Sequence, residues 1–224
     1  MTLRHRSTQA ERMDTDCVDY DDYARCLHDL SRVNVVTLTH RPMLRWLAQR
    51  ASGPFLLLDV ACGFGDGLRA IRHRFPEAQL TGVDLNPWAV RAAQAATDRA
   101  MRIDFVQGDA FAYAPQQPPD FIVCSQFAHH LTDDQVVAFL AWLRGHAARG
   151  WFISDIHRHP LPYYGFPVLA RMAGWHRFVR EDGQISIARG FLPAEWRALL
   201  ARAGLDGKAA VTWHMPFRLC VSSL

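Results

Sequence analysis

Apolar and polar residues change rhythm several times along this chain, and each change marks an element. From Asp19 onward, Tyr20, Tyr23, Leu27 and Leu30 fall three or four residues apart, which predicts a helix with one apolar face. A second helical stretch follows Asn34 and carries Met43, Leu44, Trp46 and Leu47. Then the rhythm breaks. Phe55-Leu56-Leu57-Leu58-Asp59-Val60 is an apolar run too short for a typical helix, and Ala61-Cys62-Gly63-Phe64-Gly65-Asp66-Gly67 follows with glycine at every second position. This reads as a buried strand entering a tight turn. Leu68, Ile71 and Phe75 return at helical spacing, and Pro76 ends the helix.

The alternation continues. Gln79-Leu80-Thr81-Gly82-Val83-Asp84 is a second strand ending on a carboxylate, and Asn86-Pro87 opens the next helix. Ile103-Asp104-Phe105-Val106-Gln107 runs into Gly108-Asp109-Ala110, and a fourth strand ends at Ser125. Thr132-Asp133-Asp134-Gln135 is a capping box, opening a helix that carries Val136, Phe139, Leu140 and Leu143 and stops near Gly145. A fifth strand, Trp151-Phe152-Ile153-Ser154-Asp155, precedes a stretch of prolines and aromatics without period. A helix begins at Pro193, and two partly alternating runs, 210–215 and 217–222, predict a closing strand pair.

Strands alternating with helices define the expected fold class. It is α/β, with a Rossmann-like, seven-stranded, mostly parallel sheet, helices on both faces and a C-terminal antiparallel strand pair. Residues 1–18 are polar and aperiodic and are expected to be loose. Residues 19–224 form one domain, with a helical cover over 19–52 and an irregular, substrate-side insertion over 156–184. Right-handed crossovers gather Asp59, Asp84, Asp109, Ser125 and Asp155 along one edge of the sheet.

Composition narrows the function. A chain of 224 residues, half of them hydrophobic, supports one sizeable core. The net charge of +3 comes from scattered arginines with no run of one sign, so no nucleic-acid partner is expected. Cysteines 17, 26, 62, 124 and 220 include no C-x-x-C pair, which argues against a disulfide framework or a metal knuckle and for a reducing compartment. The basic N-terminus has no apolar stretch behind it, and no apolar run is long enough to span a membrane. A cytoplasmic protein is expected, and nothing in the pattern fixes an oligomeric state.

The glycine loop is the place for chemistry. A dinucleotide fingerprint needs glycine where Leu68 stands, and a P-loop needs a lysine, whereas the one lysine of the chain is Lys208. Asp59, just ahead of the glycines, would repel a pyrophosphate and suit a ligand with a positive centre. Residues 59–67, D-V-A-C-G-F-G-D-G, resemble motif I of the class I S-adenosylmethionine-dependent methyltransferases. The strands ending at Asp84, Asp109 and Ser125 fall where that family carries its later motifs.

That resemblance implies S-adenosylmethionine as cofactor. Asp59, Gly63 and Gly65 are expected at the methionine end, Asp84 at the ribose, and Asp109 with Ala110 at the adenine; Ala61, Leu85 and Ser125 complete the expected set. Residues 125–131 and 184–191 are also similar to small bacterial methyltransferases found with type III polyketide synthases, although Glu181-Asp182 departs from their His-Asp. This implies a hydroxyl of a small aromatic, polyketide or quinone-like acceptor. The alternatives are a C-methyltransferase of a quinone precursor, or a cofactor-binding partner protein without activity.

A hydroxyl acceptor must lose a proton, and histidine is the side chain that titrates near neutrality. The candidates are His129, His130 and His157, each of which could instead support its loop. No metal is expected. Asn34, Thr37 and Arg41 could reach the ligand from the helical cover. Tyr163, Tyr164, Phe166, Trp175 and Phe178 could wall an acceptor pocket or simply pack the insertion.

Overall fold

In the computed structural model, residues 3–16, 19–113, 115 and 117–224 are described. Cys17 and Val18, at the end of the expected loose segment, lie outside them. Five strands run parallel, β1 (Leu56–Val60), β2 (Gln79–Asp84), β3 (Ile103–Gln107), β4 (Phe121–Ser125) and β5 (Gly150–Ile156). Two more, β6 (Ala209–His214) and β7 (Arg218–Ser223), close one side antiparallel, giving the order β3-β2-β1-β4-β5-β7-β6. The expected seven-stranded architecture is the observed one.

The central strands are apolar on both faces because both faces are covered. Leu58 and Val60 of β1 join Ile122 and Cys124 of β4 in a core with α6 (Asp133–His146) and α9 (Pro193–Arg202). The alternate residues, Leu57, Phe121 and Val123, pack on the other face against Met43, Trp46 and Leu47 of α3 (Arg41–Arg50) and Leu68 and Ile71 of α4 (Asp66–Arg74). The period-two division of side chains thus places one core on each side of the sheet. α5 (Pro87–Ala95) follows β2 and packs Ala89 and Ala92 on Tyr23 and Leu27 of α2 (Tyr20–Val36). Asp19 caps α2 by accepting from Asp22 N at 2.7 Å, and Thr132 with Gln135 forms the expected capping box on α6.

Two regions differ from expectation. The stretch 156–184 is not irregular, since most of it lies in α7 (Pro160–Met172) and the first part of α8 (Arg177–Arg189), which pack on α2 through Cys26, Val33, Ala170, Trp175, Phe178 and Val179. Prolines hid the first helix. Pro160 opens its first turn, where no amide partner is needed, and Pro167 lies inside it. The missing Pro167 amide would leave the Tyr163 carbonyl without a donor, and Gln184 of α8 donates to that oxygen at 3.1 Å.

The N-terminal segment is not loose over residues 3–16. Ser7 N donates to Ala188 O at 2.9 Å, and α1 (Arg12–Thr15) starts with the amides of Arg12 and Met13 donating to Asp182 at 2.8 and 2.9 Å. Its partners lie more than 100 residues away in sequence, so local pattern could not show them. Asp182→Ala removes the acceptor of two partly buried amides, a loss of about 1–3 kcal/mol in local anchoring. Hydrogen exchange is expected to speed up at Ser7, Arg12 and Met13 while β1 and β4 stay protected; unchanged exchange at all three would overturn the anchoring role.

Candidate active site

Strand order reverses between β1 and β4, and a crevice opens at their carboxyl ends. The residues that leave this point are held in the left-handed region without being glycine, Ala61 at φ 56° and Gln126 at φ 56°. Such backbone is held at a cost of order 1 kcal/mol and collects at ligand sites. A cavity of about 630 Å³ lies there, lined among others by Asp59, Ala61, Gly63, Asp84, Leu85 and Ser125.

Charge is distributed unevenly in this cavity. Asp84 is engaged, accepting Gly63 N at 2.8 Å and Asn86 N at 2.9 Å, so it fastens the glycine loop to the turn after β2. Asp66 does not cap α4, whose N-cap is Gly65. Its carboxylate meets Asn34 Nδ2 at 3.0 Å and His40 Nε2 at 2.7 Å. Burial would raise its pKa, but His40 and Asn34 hold it below the usual carboxylate range. Asp59 is buried at 6 % exposure and has no hydrogen-bond partner among the described residues. Burial, then the Asp66 and Asp84 charges, push it well above that range. The Ser125 hydroxyl is likewise buried without a partner. A ligand with a cationic group would give Asp59 a partner that no described residue supplies.

Three of the expected cofactor residues do not line this cavity. Gly65 is buried at φ 72°, where an added Cβ would come within 2.6 Å of the Phe105 ring; its smallness serves packing. Asp109 is exposed and caps its own turn by accepting Phe111 N at 2.9 Å. Ala110 packs on the core beside α6. Of the helical cover, Asn34 faces this cavity, donating to Asp66 and accepting from Gln126, whereas Arg41 lies in a separate groove.

A second cavity, of about 450 Å³, opens between α2, α7, α8 and the turn joining β6 to β7. Its walls are mostly apolar, with Leu30, Val33, Phe166, Leu169, Phe178 and Val179, and Thr37 also faces it. Of the aromatics expected there, Phe166 and Phe178 line it. Trp175 stacks behind Phe166, Tyr163 faces a shallower groove, and Tyr164 is exposed. The two cavities share Glu11, Met13, Leu30, Gln126, Ile156 and Ser186 and meet at those residues.

Glu11, which sequence reasoning missed, sits at that junction in a buried charge network. His129 Nδ1 is 2.7 Å from Asp155 Oδ1, its own amide donates to Asp155 Oδ2 at 3.0 Å, and its Nε2 is 3.4 Å from Glu11 Oε1. Burial alone would discharge His129. The Asp155 charge and the hydrogen bonds that the ring donates to both carboxylates outweigh it and raise the imidazole to about 9. Burial opposes the charge of Glu11 as well, but His129 and His130 draw it down to about 2. Both ring nitrogens of His129 face carboxylates, which hold the imidazole toward its charged form. Glu11, His129 and His130 bring donor atoms within 4.8 Å of one another.

His130 is half-buried, lines the first cavity and has Nε2 3.9 Å from Glu11. His157 lines neither cavity: it accepts from Trp213 Nε1 at 3.2 Å and lies against His159 and Phe217. Cys62 and Cys124 are buried, and burial pushes both thiols well up, so neither is an activated nucleophile.

Known proteins fit this geometry. Residues 57–150 match the family described as a methyltransferase domain. The chain is 32% identical over 108 residues to a trans-aconitate 2-methyltransferase of Methylobacterium radiotolerans, and 34% over 99 residues to one of Streptomyces avermitilis. These matches take in 48% and 43% of the chain but 36% and 32% of those proteins, so the chain spans about a third of the relatives it matches. Among solved structures, the plantazolicin methyltransferase BpumL in complex with S-adenosylhomocysteine superimposes at a TM-score of 0.68 and 12% identity, over 94% of this chain and 91% of that one. Human N-acetylserotonin methyltransferase in complex with S-adenosylmethionine does so at 0.65 and 18%, over 97% and 63%. Residues 57–150 thus match a methyltransferase domain, and the chain shares its fold with solved methyltransferases bound to S-adenosylhomocysteine or S-adenosylmethionine.

The charge network fixes a pH dependence. Glu11 and Asp155 are depressed, so their stabilisation is present above the ordinary carboxylate range and is lost as pH falls, for Glu11 through about 2. His129 is raised, so its share is complete below 6.5 and is lost as pH rises through about 9. The melting temperature is expected to be highest near about pH 5–6 and to fall by several degrees toward about pH 9, with Glu11→Gln flattening the alkaline fall. A wild-type profile flat across that alkaline window would refute the assignment.

Proposed function

We propose that this chain transfers a methyl group from S-adenosylmethionine to a hydroxyl oxygen of a small, largely apolar acceptor. The observation that carries the reading is the junction: a cavity with an unpaired buried carboxylate opens into an apolar cavity at Glu11, Gln126 and Ser186. Asp59 receives the ammonium group of the cofactor, the loop from Ala61 to Gly63 its methionine end, and Asp84 the ribose. Leu85 and Ser125 wall the same cavity. When bound, the cofactor supplies a methyl group already activated by its sulfonium.

The chain's own part is then to orient, to exclude water and to move one proton. Phe166 and Phe178 hold a flat acceptor, while Glu11 fixes the direction of its hydroxyl. His130, beside Glu11, accepts the proton. α7, α8 and the β6–β7 turn lie outside residues 57–150, so the acceptor is set by elements the family match does not reach. Its nature is read from the cavity, and not from the relatives named for trans-aconitate.

No helix among the described residues is long and apolar enough to cross a membrane. The buried free cysteines Cys26, Cys62, Cys124 and Cys220 suit a reducing, cytoplasmic setting.

Calorimetric titration tests the cofactor half. Micromolar binding of S-adenosylmethionine and S-adenosylhomocysteine without NAD is expected, and Asp84→Ala should weaken it about tenfold or more, a loss near ~1.4 kcal/mol or above. Turnover of phenols and quinols, with the methylated atom located by NMR, tests the acceptor half. His130→Ala should lower kcat by about a hundredfold or more with cofactor affinity kept, whereas His157→Ala should keep kcat. Methylation at carbon would replace the hydroxyl reading, and cofactor binding without turnover of any acceptor would mark a binding protein.

A further inference from the structure

Arg218 opens β7 and is 5% exposed, yet it has no ion-pair partner among the described residues. Its Nη2 donates to Thr39 Oγ1 at 2.6 Å and to Thr37 Oγ1 at 3.4 Å, both neutral acceptors. Its Nη1 is buried with no hydrogen-bond partner among the described residues. The carboxylate whose charge acts on it is Asp155, and both oxygens of that carboxylate are already taken by His129 and by the Ile156 amide. A guanidinium stays charged in a protein, and a buried charge left unpaired is strongly unfavourable unless a ligand completes it.

The side chain also stands in the right place for a ligand. Arg218 lines the apolar cavity, next to Thr37, Pro216 and Phe217, and Phe217 is held in the left-handed region at φ 49°. In the β5–β7 ladder Arg218 pairs with Ile156, which lines both cavities, so the two side chains rise on one face of the sheet. A group bound to Arg218 therefore lies close to the junction where methyl transfer is placed, while the body of the acceptor extends toward Phe166 and Leu169.

Resting on the methyl-transfer reading, we infer that the acceptor carries a carboxylate and that Arg218 Nη1 binds it, making Arg218 the residue that selects hydroxylated aryl acids over their neutral counterparts. The apolar walls take the ring, Arg218 takes the charge, and the hydroxyl to be methylated faces Glu11. The chain supplies a counter-ion for each end of the reaction: Asp59 for the cationic donor and Arg218 for the anionic acceptor.

The test compares wild type with Arg218→Met and Arg218→Lys on hydroxybenzoates and hydroxynaphthoates, each paired with its neutral amide. Three quantities are read: cofactor affinity by calorimetry, thermal shift by each aryl compound, and initial rates of S-adenosylhomocysteine formation. Wild type should prefer acids over amides by roughly tenfold or more in apparent affinity, and Arg218→Met should abolish that preference. Cofactor affinity should be unchanged in Arg218→Met, and its melting temperature should be equal or higher, because an unpaired buried charge has gone. Arg218→Lys should retain part of the preference and guards against a folding artefact. An acid preference that survives in Arg218→Met, no preference in wild type, or no response to any acid would overturn the inference. Failure of cofactor binding would instead overturn the methyl-transfer reading, so the two failures are told apart.

Discussion

A buried imidazolium held between two carboxylates is the constraint on which the site depends. Asp155 is fully buried on β5 and binds His129 through both its ring and its amide, which fixes the turn after β4. Through Glu11 the same cation reaches the N-terminal segment, and Ser186 of α8 donates to Glu11 at 2.7 Å. Sheet edge, turn, N-terminal segment and α8 are thereby joined at one charge. Removing one partner leaves the others as uncompensated buried charges, which costs far more than the intact network contributes. Arginines reinforce the arrangement from outside: Arg6 and Arg189 both donate to carbonyls in the turn 129–131, and Arg158, buried, holds the carbonyls of Leu3 and Gly190 and pairs with Glu195.

This explains why the N-terminal segment belongs to the site rather than to the surface. Its few apolar residues could not hold it in place alone. Polar anchors hold it, namely Asp182 at α1, Ala188 at Ser7 and the network at Glu11. Once held, it separates the two cavities and supplies their shared wall with Glu11 and Met13. A segment fixed by hydrogen bonds and charge rather than by a large apolar face opens more readily than the sheet does, which suits a wall that ligands must pass.

What was legible in the sequence followed from local repetition. The strand from Leu56, the glycine loop and the helix behind it announce themselves through period and glycine spacing, and the carboxylates at Asp59 and Asp84 stand where strands end. The loop's individual roles were less legible. The missing Cβ of Gly65 makes room for Phe105, and Asp109 caps its own loop, neither of which local pattern shows. α7 was concealed by Pro167, whose defect is repaired by Gln184 from another helix. Glu11 and Arg218 carried no signal at all, since their meaning comes from partners and cavities assembled by the fold. His129 was legible as a candidate and not as a cation, because only the folded chain brings Asp155 and Glu11 to it.

The two unpaired charges are better understood together than apart. Asp59 is a buried carboxyl group pushed toward its neutral form, and Arg218 is a buried guanidinium with one end unbonded. Each weakens the folded chain where it stands, and neither can reach the other, since they face different cavities. The left-handed residues Ala61, Gln126 and Phe217 line those same cavities and add backbone strain there. Instability gathered at two adjoining cavities, a destabilised carboxyl group in one and an unpaired guanidinium in the other, is what a site looks like when its ligands supply the missing charges. A cationic methyl donor and an anionic acceptor would relieve both at once, so that binding either ligand removes one of the two defects. The apolar cores packed on either side of the sheet carry the stability that lets the site keep them.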